Sequence, residues 1–185
     1  MRTEKKWKEI KWRYLNKFPP RLQRDLRLFD DTKVKRAEDS TFIWGDVQTG
    51  KTVMAAQMML AELKDIYLNA IPDVHDKTLF VSFPDMLMEI KSTYNSAERT
   101  EDVLRKYYDA YLLVLDDFIT TRPTDWVVEV IYALINYRYE HMLKTIITCN
   151  YDLEQLEEVL KEQRITSRIR RSYTIIKKQG YETKQ

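Results

Sequence analysis

The run Gly45-Asp46-Val47-Gln48-Thr49-Gly50-Lys51-Thr52 has the spacing G-x-x-x-x-G-K-T and decides how the rest of the chain is interpreted. It holds two of the chain's three glycines. A glycine-rich turn of this kind can aim its backbone N–H groups at phosphate oxygens. The pattern predicts a phosphate-binding loop in which Lys51 contacts the β- and γ-phosphates and the Thr52 hydroxyl binds Mg²⁺.

The flanking sequence supplies the strand and helix that such a loop requires. Residues Ser40–Trp44 are β-branched and aromatic, which predicts a strand. Apolar residues at helical spacing predict a helix from Lys51 to about Tyr67, whose N-terminus would face the phosphates. An ordinary strand-to-helix turn is the alternative, but it gives the Lys-Thr pair no purpose. Gln48 stands where many such loops carry another glycine, so we expect a stiffer or slightly reshaped loop.

Composition sets limits on the class of protein. The 185 residues, 44% of them hydrophobic, suffice for one core domain with a short appendage. The single cysteine, Cys149, excludes an internal disulfide and is expected to be a buried hydrophobe rather than a nucleophile. No apolar run approaches the ~20 residues that span a bilayer. We therefore expect a cytoplasmic protein with no membrane contact. Because His75 and His141 are isolated, no His/Cys metal site is predicted.

Charge is distributed unevenly along the chain. Residues 1–36 carry a net charge of +8, residues 37–160 a net charge of −12, and residues 161–185 a net charge of +6. Basic ends on an acidic centre suit contact with nucleic acid or with an acidic protein. Solvated charge without a partner is the alternative.

Strand and helix patterns alternate after residue 37 and predict an α/β fold with a parallel five-stranded sheet and helices on both faces. Ligands then bind at the carboxyl ends of the strands. The predicted strands are 40–44, 78–82, 111–115, 145–149 and 173–176. The predicted helices are 51–67, 85–94, 101–108, 125–141 with Thr124 as its cap, and 153–160.

The first 36 residues form a separate basic region in this interpretation, ahead of an ATPase core at 37–185. Residues 1–18 are predicted to form one amphipathic helix, which Pro19-Pro20 ends. The polar residues that follow are expected to be a linker. The helix could contact a protein partner, bind DNA through its basic and aromatic side chains, or pack on its own core.

Two carboxylates follow the third predicted strand. Asp116 is expected to bind Mg²⁺, directly or through water, and Asp117 to polarise the attacking water. A pair of aspartates that only caps a turn is the alternative. Their separation from the phosphate loop favours the catalytic interpretation.

Three further residues complete the predicted site. Asn150 ends the fourth predicted strand and could contact the γ-phosphate or orient the water, although an asparagine at this point could equally begin a turn. Arg164 and Arg168 lie four residues apart on a probable helix and so share one face. Either could reach the γ-phosphate of a neighbouring subunit, which would make hydrolysis depend on oligomerisation. A solvated basic face is the alternative.

Taken in order, these motifs resemble the AAA+ ATPases of the DnaC/DnaI helicase-loader family and its relative, the transposition helper IstB. The likeness covers roughly residues 18–180 and includes Phe80-Val81-Ser82-Phe83-Pro84-Asp85-Met86-Leu87. It implies a P-loop NTPase with an AAA+ core and no C-terminal helical lid domain. It also implies that Lys51 and Thr52 bind ATP and Mg²⁺, that Asp116 and Asp117 take the acidic roles, that Asn150 is the sensor, and that Arg168 acts in trans, with Arg164 in reserve.

Three features depart from the family pattern. Many members have Glu where Asp117 stands, and the shorter acid is expected to slow hydrolysis. The separate N-terminal partner-binding domain of the family is missing, and only residues 1–18 could replace it. A second sensor arginine is not evident near the end of the chain, where Lys184 is a poor substitute.

The resemblance implies an ATP-dependent loader or regulator of a replicative helicase, which assembles as a homo-oligomer through its ATP sites on single-stranded DNA. The brevity of the chain suggests a minimal version encoded by a phage or mobile element. A transposition-helper ATPase with a transposase partner is the first alternative. A nucleotide-gated DNA-binding adaptor with little hydrolysis is the second, and Gln48 and Asp117 motivate it.

Overall fold

The computed structural model describes residues 3–30, 34, 36–71, 76–95, 99–119 and 121–180. The strands are β1 Ser40–Trp44, β2 Thr78–Ser82, β3 Leu112–Asp116, β4 Lys144–Cys149 and β5 Tyr173–Lys177. The helices are α1 Glu4–Ile10, α2 Pro20–Arg27, α3 Lys51–Leu68, α4 Phe83–Ser92, α5 Thr100–Tyr108, α6 Asp125–Glu140, α7 Leu153–Leu160 and α8 Gln163–Ser172. Short 3₁₀ helices cover Lys11–Lys17 and Thr93–Asn95.

The five strands form one sheet in the order β2-β3-β4-β1-β5, and every neighbouring pair is parallel. This confirms the predicted parallel five-stranded sheet. β4 lies between β1 and β3, with Trp44 opposite Cys149. Parallel strands all leave the sheet at one edge, so the segments that follow β1, β3, β4 and β5 are neighbours there.

Alternate residues of the strands enter two separate cores, as expected where helices cover both faces of a sheet. Phe42, Leu113 and Ile147 pack on the face that α4 to α8 cover. Ile43 and Val114 pack on the opposite face, against α3 and residues 3–30, which are called the N-terminal segment here. The prediction of helices on both faces is thus confirmed.

The N-terminal segment differs from its prediction in two ways. The single helix expected over residues 1–18 is wrong, because α1 ends at Ile10 and the chain continues as a 3₁₀ helix to Lys17. The expected linker contains a further helix, α2, which begins at Pro20 and buries Leu22 and Leu26. Proline is well tolerated in the first turn of a helix, where its missing N–H would have no partner.

The apolar side of this segment packs on its own core. Trp7 is fully buried, and its ring centroid lies 5.1 Å from that of Tyr14 and 5.7 Å from that of Tyr67 on α3. The Lys64 ammonium of α3 lies 3.0 Å from the Glu4 carboxylate. Of the three alternatives for residues 1–18, packing on the core is therefore observed for the apolar face.

Of the element boundaries that differ from prediction, two lie at the carboxyl edge of the sheet. The helix expected from residue 85 begins at Phe83, because the Ser82 side chain accepts a hydrogen bond from the Asp85 N–H and caps it. The third strand runs from Leu112 to Asp116, so that Asp116 is its last residue instead of the first residue after it. Among the described residues, no helix is both long and apolar enough to cross a membrane.

Replacing the buried indole tests whether the N-terminal segment is part of the fold. Trp7→Ala should lower the free energy of unfolding by roughly 3–5 kcal/mol, because a large buried ring is lost and a cavity remains. Trp12→Ala is the matched control: Trp12 is 64% exposed, and its loss should cost about 0.5 kcal/mol or less. Urea unfolding measures both. Equal effects would show that Trp7 is not packed in solution.

Candidate nucleotide-binding site

The predicted phosphate loop joins β1 to α3 at the carboxyl edge of the sheet. The Gly45 N–H donates to the Cys149 carbonyl oxygen at 3.3 Å, which ties the start of the loop to β4. Within the loop, the Thr49 hydroxyl donates to the Asp46 carbonyl oxygen at 2.9 Å. The loop ends at Gly50, whose φ of 85° leads directly into α3. Its backbone thus curls around the N-terminus of an 18-residue helix, an arrangement that favours anions.

Lys51 folds back over this loop. Its ammonium donates to the carbonyl oxygens of Gly45 and Asp46 at 2.8 and 2.7 Å, and the residue is only 6% exposed. Burial lowers the pKa of the ammonium, and the nearby Asp117 carboxylate partly opposes that shift. A buried cation held at the mouth of the loop is positioned to exchange these carbonyl contacts for phosphate oxygens.

Gly45 is required by packing as well as by the turn. Its φ is +148°, and a Cβ atom built on it would lie 2.2 Å from the carbonyl oxygen of Lys178, which follows β5. The Lys178 N–H donates to the Trp44 carbonyl oxygen at 2.7 Å, so the β5 segment continues alongside the loop. No sequence pattern predicts this contact, because it depends on β5 pairing with β1.

Gln48 has a φ of 65°, in the left-handed region that favours glycine. The loop therefore keeps the backbone conformation expected of a glycine and places a glutamine in it. The glutamine that replaces the usual glycine is therefore held in a strained backbone conformation. This strain costs on the order of 1 kcal/mol for a residue with a Cβ.

Asp116 and Thr52 meet beside the loop. The Asp116 carboxyl group accepts a hydrogen bond from the Thr148 hydroxyl of β4 at 2.6 Å, and the Thr52 hydroxyl lies near enough to help lower its pKa. Asp116 is 6% exposed, and burial raises the pKa of its carboxyl group, while the two hydroxyl groups oppose the shift. Thr148 was not singled out from the sequence, where it is one more polar residue in a buried strand.

These two oxygen donors fit a magnesium ion. Mg²⁺ is usually held by one or two carboxylates together with substrate phosphates and water, not by a complete cage of protein ligands. Asp116 and Thr52 provide one carboxylate and one hydroxyl next to the phosphate loop. Among the described residues, no group of three or more His, Cys, Asp and Glu side chains is placed to bind a metal ion.

Asp117 turns away from the strand into solvent. Its φ is 54° and its side chain is exposed, while its N–H donates to the Thr148 hydroxyl oxygen at 3.0 Å. The next residue, Phe118, is buried with its ring centroid 5.0 Å from that of Phe83. The buried ring anchors a strained turn that presents the Asp117 carboxylate next to Asp116.

Asn150 follows β4 directly, between the loop and the aspartates, because β4 lies between β1 and β3. It is half-buried. Its neighbour Cys149 is 1% exposed, and burial raises the pKa of the thiol to about 11. Cys149 is thus the buried apolar residue that the sequence predicted.

Arg164 and Arg168 lie on one face of α8, as their spacing predicted, and contact α6 and neighbouring residues of α8. Their guanidinium carbons lie 4.3 and 5.1 Å from the Tyr132 ring centroid. Arg164 also pairs with Glu162 at 2.7 Å, and this hydrogen bonding lowers the pKa of the carboxyl group to about 2. The structure therefore brings together the loop, Thr52, Asp116, Asp117 and Asn150, and it places the two arginines on a separate surface.

His75 and Lys184 lie outside the described residues. His141 is exposed, with its Nδ1 atom 2.8 Å from the Tyr137 carbonyl oxygen at the end of α6.

Neither a protein-family model nor a curated protein matches the chain, but solved structures do. The DnaC helicase loader has a TM-score of 0.63 at 23% identity, covering 90% of this chain and 99% of its own. DnaI has a TM-score of 0.57 at 23% identity, covering 91% and 81%. AMPPCP-bound DnaA from Aquifex aeolicus has a TM-score of 0.59 at 16% identity, covering 89% of this chain and 49% of its own.

The parallel sheet, its helices and the position of the loop give the chain the fold of a P-loop protein with an AAA+ core. Its fold is that of the DnaC and DnaI proteins, which confirms the predicted resemblance at the level of structure. After β4, α7 packs on α8, α8 packs on α6, and the chain continues into β5. Within residues 121–180 they form no separate helical lid domain, as predicted.

The pH dependence of stability in an Asp116→Asn variant tests whether the Asp116 carboxyl group is buried. A carboxyl group whose pKa is higher in the folded state than in the unfolded state loses stability as pH rises through the folded pKa. Asp116→Asn should therefore be more stable than the wild type at pH 7, and the difference should vanish below about pH 4, the ordinary range for aspartate. Urea unfolding across this pH range measures it.

Asp117→Asn is the matched control, because its side chain is exposed. It should change stability little at any pH. An Asp116→Asn variant that is no more stable than the wild type at pH 7 would contradict the burial of this charge.

Proposed function

We propose that the protein is a Mg²⁺-dependent ATPase that loads or regulates a replicative helicase on single-stranded DNA. The observation that carries this is that β3 ends beside the phosphate loop, which brings the buried Asp116 carboxyl group close to the Lys51 ammonium and to the Thr52 hydroxyl. On an AAA+ sheet this pairs a polyphosphate site with a metal site. The similarity of fold to a structure described as a helicase loader supports the choice of partner.

In this proposal the loop amides and Lys51 hold the β- and γ-phosphates. Mg²⁺, held by Thr52 and Asp116, would neutralise phosphate charge during transfer. Asp117, exposed beside this pair, orients and polarises the attacking water. Asn150 lies at the end of the strand between them and contacts the γ-phosphate or that water.

Arg168 is proposed to complete the site of a neighbouring protomer. It is half-buried on the side of α8 that contacts α6, and its Nε atom is buried without a hydrogen-bond partner. Stacking of both arginines on Tyr132 holds the pair in a fixed orientation. Arg164 is the second candidate, although its pairing with Glu162 would have to be broken. Hydrolysis would then require a homo-oligomer.

A basic aromatic cluster offers a surface for single-stranded DNA. The Trp126 Nε1–H donates to the Tyr94 hydroxyl at 2.9 Å, and the Lys91 ammonium lies 4.9 Å from the Trp126 ring centroid. Tyr94 is 57% exposed. An exposed aromatic ring, with a half-buried indole and a cation beside it, suits a stacked base and its phosphate.

A transposase is the alternative partner, because the same ATP site would serve a helicase loader and a transposition helper. Capture of purified replicative helicase and of purified transposase, each with and without ATP, separates the two. ATP-dependent retention of the helicase alone supports the loader, and retention of the transposase alone supports the transposition helper.

Removing the loop lysine tests the ATPase. Lys51→Ala should reduce Mg²⁺-dependent phosphate release by about 100-fold or more, because a preorganised charge on the transferring phosphate is lost. Lys106→Ala is the control, since Lys106 pairs with Glu89 on α4. Wild-type protein that binds ATP but releases no phosphate with or without single-stranded DNA would favour the adaptor alternative.

Removing the half-buried Trp126 indole tests the DNA surface. Trp126→Ala should weaken binding of a fluorescent single-stranded oligonucleotide by about tenfold, since one stacked base contributes ~1–3 kcal/mol. ATP binding should be unchanged. Trp12→Ala, at an exposed tryptophan of the N-terminal segment, is the control. If Trp12→Ala alone lost affinity, DNA would bind through the N-terminal segment instead.

A further inference from the structure

The segment after β5 lies across the phosphate loop. Here residues 178–180 are called the strap. β5 pairs with β1 in parallel, up to Lys177 opposite Trp44. The Lys178 N–H continues this pairing to the Trp44 carbonyl oxygen at 2.7 Å. The strap therefore leaves the sheet at the same edge as the phosphate loop and directly beside it.

The strap touches the loop at three points along its length. The Lys178 carbonyl oxygen occupies the place where a side chain at Gly45 would lie, 2.2 Å from a built Cβ atom. The Lys178 Cε atom lies 3.9 Å from a built Cβ on Gly50, and Thr49 Cγ2 lies 3.7 Å from one on Gly180. The Lys178 side chain thus extends from the first glycine of the loop to the second.

Neighbouring lysines of the segment point in different directions. The Lys177 ammonium lies 4.7 Å from the Trp44 ring centroid, on β1. Lys178 instead ends beside Gly50, the residue that caps α3. Its side chain therefore extends towards the N-terminus of the helix, where the loop amides converge and an anion is favoured.

We propose that Lys178 is a second phosphate-binding cation of the nucleotide site, supplied by the strap of the same protomer. This rests on the proposed function, because it requires that nucleotide binds at the loop. Lys51 approaches the phosphates from inside the loop, and Lys178 approaches from the strap. The two cations come from different parts of the fold. Lys51 is the first residue of α3, whereas Lys178 follows β5 and reaches the loop only because β5 pairs with β1.

Equilibrium binding of fluorescent ADP tests this proposal. Lys178→Met keeps the length of the side chain over Gly50 and removes its charge. It should weaken ADP binding by about tenfold or more, as expected for a lost hydrogen bond to a charged group, and should flatten the salt dependence of the affinity. Lys178→Arg should restore most of the affinity. Lys177→Met, one residue away, should leave it within about twofold.

The competing explanation is that Lys178 only holds the loop in shape. AMP separates the two, because it lacks the β-phosphate: a shape effect weakens AMP and ADP equally, whereas a phosphate contact weakens ADP more. Equal losses for AMP and ADP, or identical affinities for Lys178→Met and Lys177→Met, would overturn the proposal. A wild-type protein that binds no ADP at all would instead refute the proposed function.

Discussion

Parallel pairing of β1 with both β4 and β5 is the constraint on which the site depends. It brings the carboxyl ends of these strands and of β3 to one edge, and each strand delivers one component there. The phosphate loop follows β1, the aspartates end β3, Asn150 follows β4 and Lys178 follows β5. A slip of one residue in any pair would reverse which side chains face the core. The register that buries two cores therefore also assembles the site.

The site holds charged groups whose environment favours their neutral forms. Burial lowers the pKa of Lys51 and raises that of Asp116. The hydrogen bond from Thr148 and the nearby Thr52 hydroxyl offset part of this cost for the carboxylate, and two loop carbonyls do so for the ammonium. Such shifts cluster at sites where function needs a charge that folding does not favour. In the proposed function, the phosphates would compensate Lys51 and the metal ion would compensate Asp116.

The sequence predicted those parts of the fold that have local signals. Helices were predicted because their apolar residues recur at helical spacing, strands from runs of β-branched, aromatic and apolar residues, and the loop from its glycine spacing. α2 was missed because only Leu22 and Leu26 mark its buried side among charged residues. Arg138 also carried no signal, although it is 1% exposed and its guanidinium donates to the carbonyl oxygens of Tyr107, Tyr108, Ala110 and Lys144. A side chain that satisfies distant backbone groups can be recognised only once the fold has brought those groups together.

The first glycine of the phosphate loop meets two structural requirements. From the sequence, Gly45 was explained by the turn that aims backbone amides at phosphate. The structure adds a second demand, because the Lys178 carbonyl oxygen excludes any side chain at that position. All three glycines of the chain, Gly45, Gly50 and Gly180, lie where the strap meets the loop. The few glycines of this chain thus lie where two backbone segments approach closely. The shape of the loop is therefore set by its packing against the strap as well as by the ligand that it is proposed to bind.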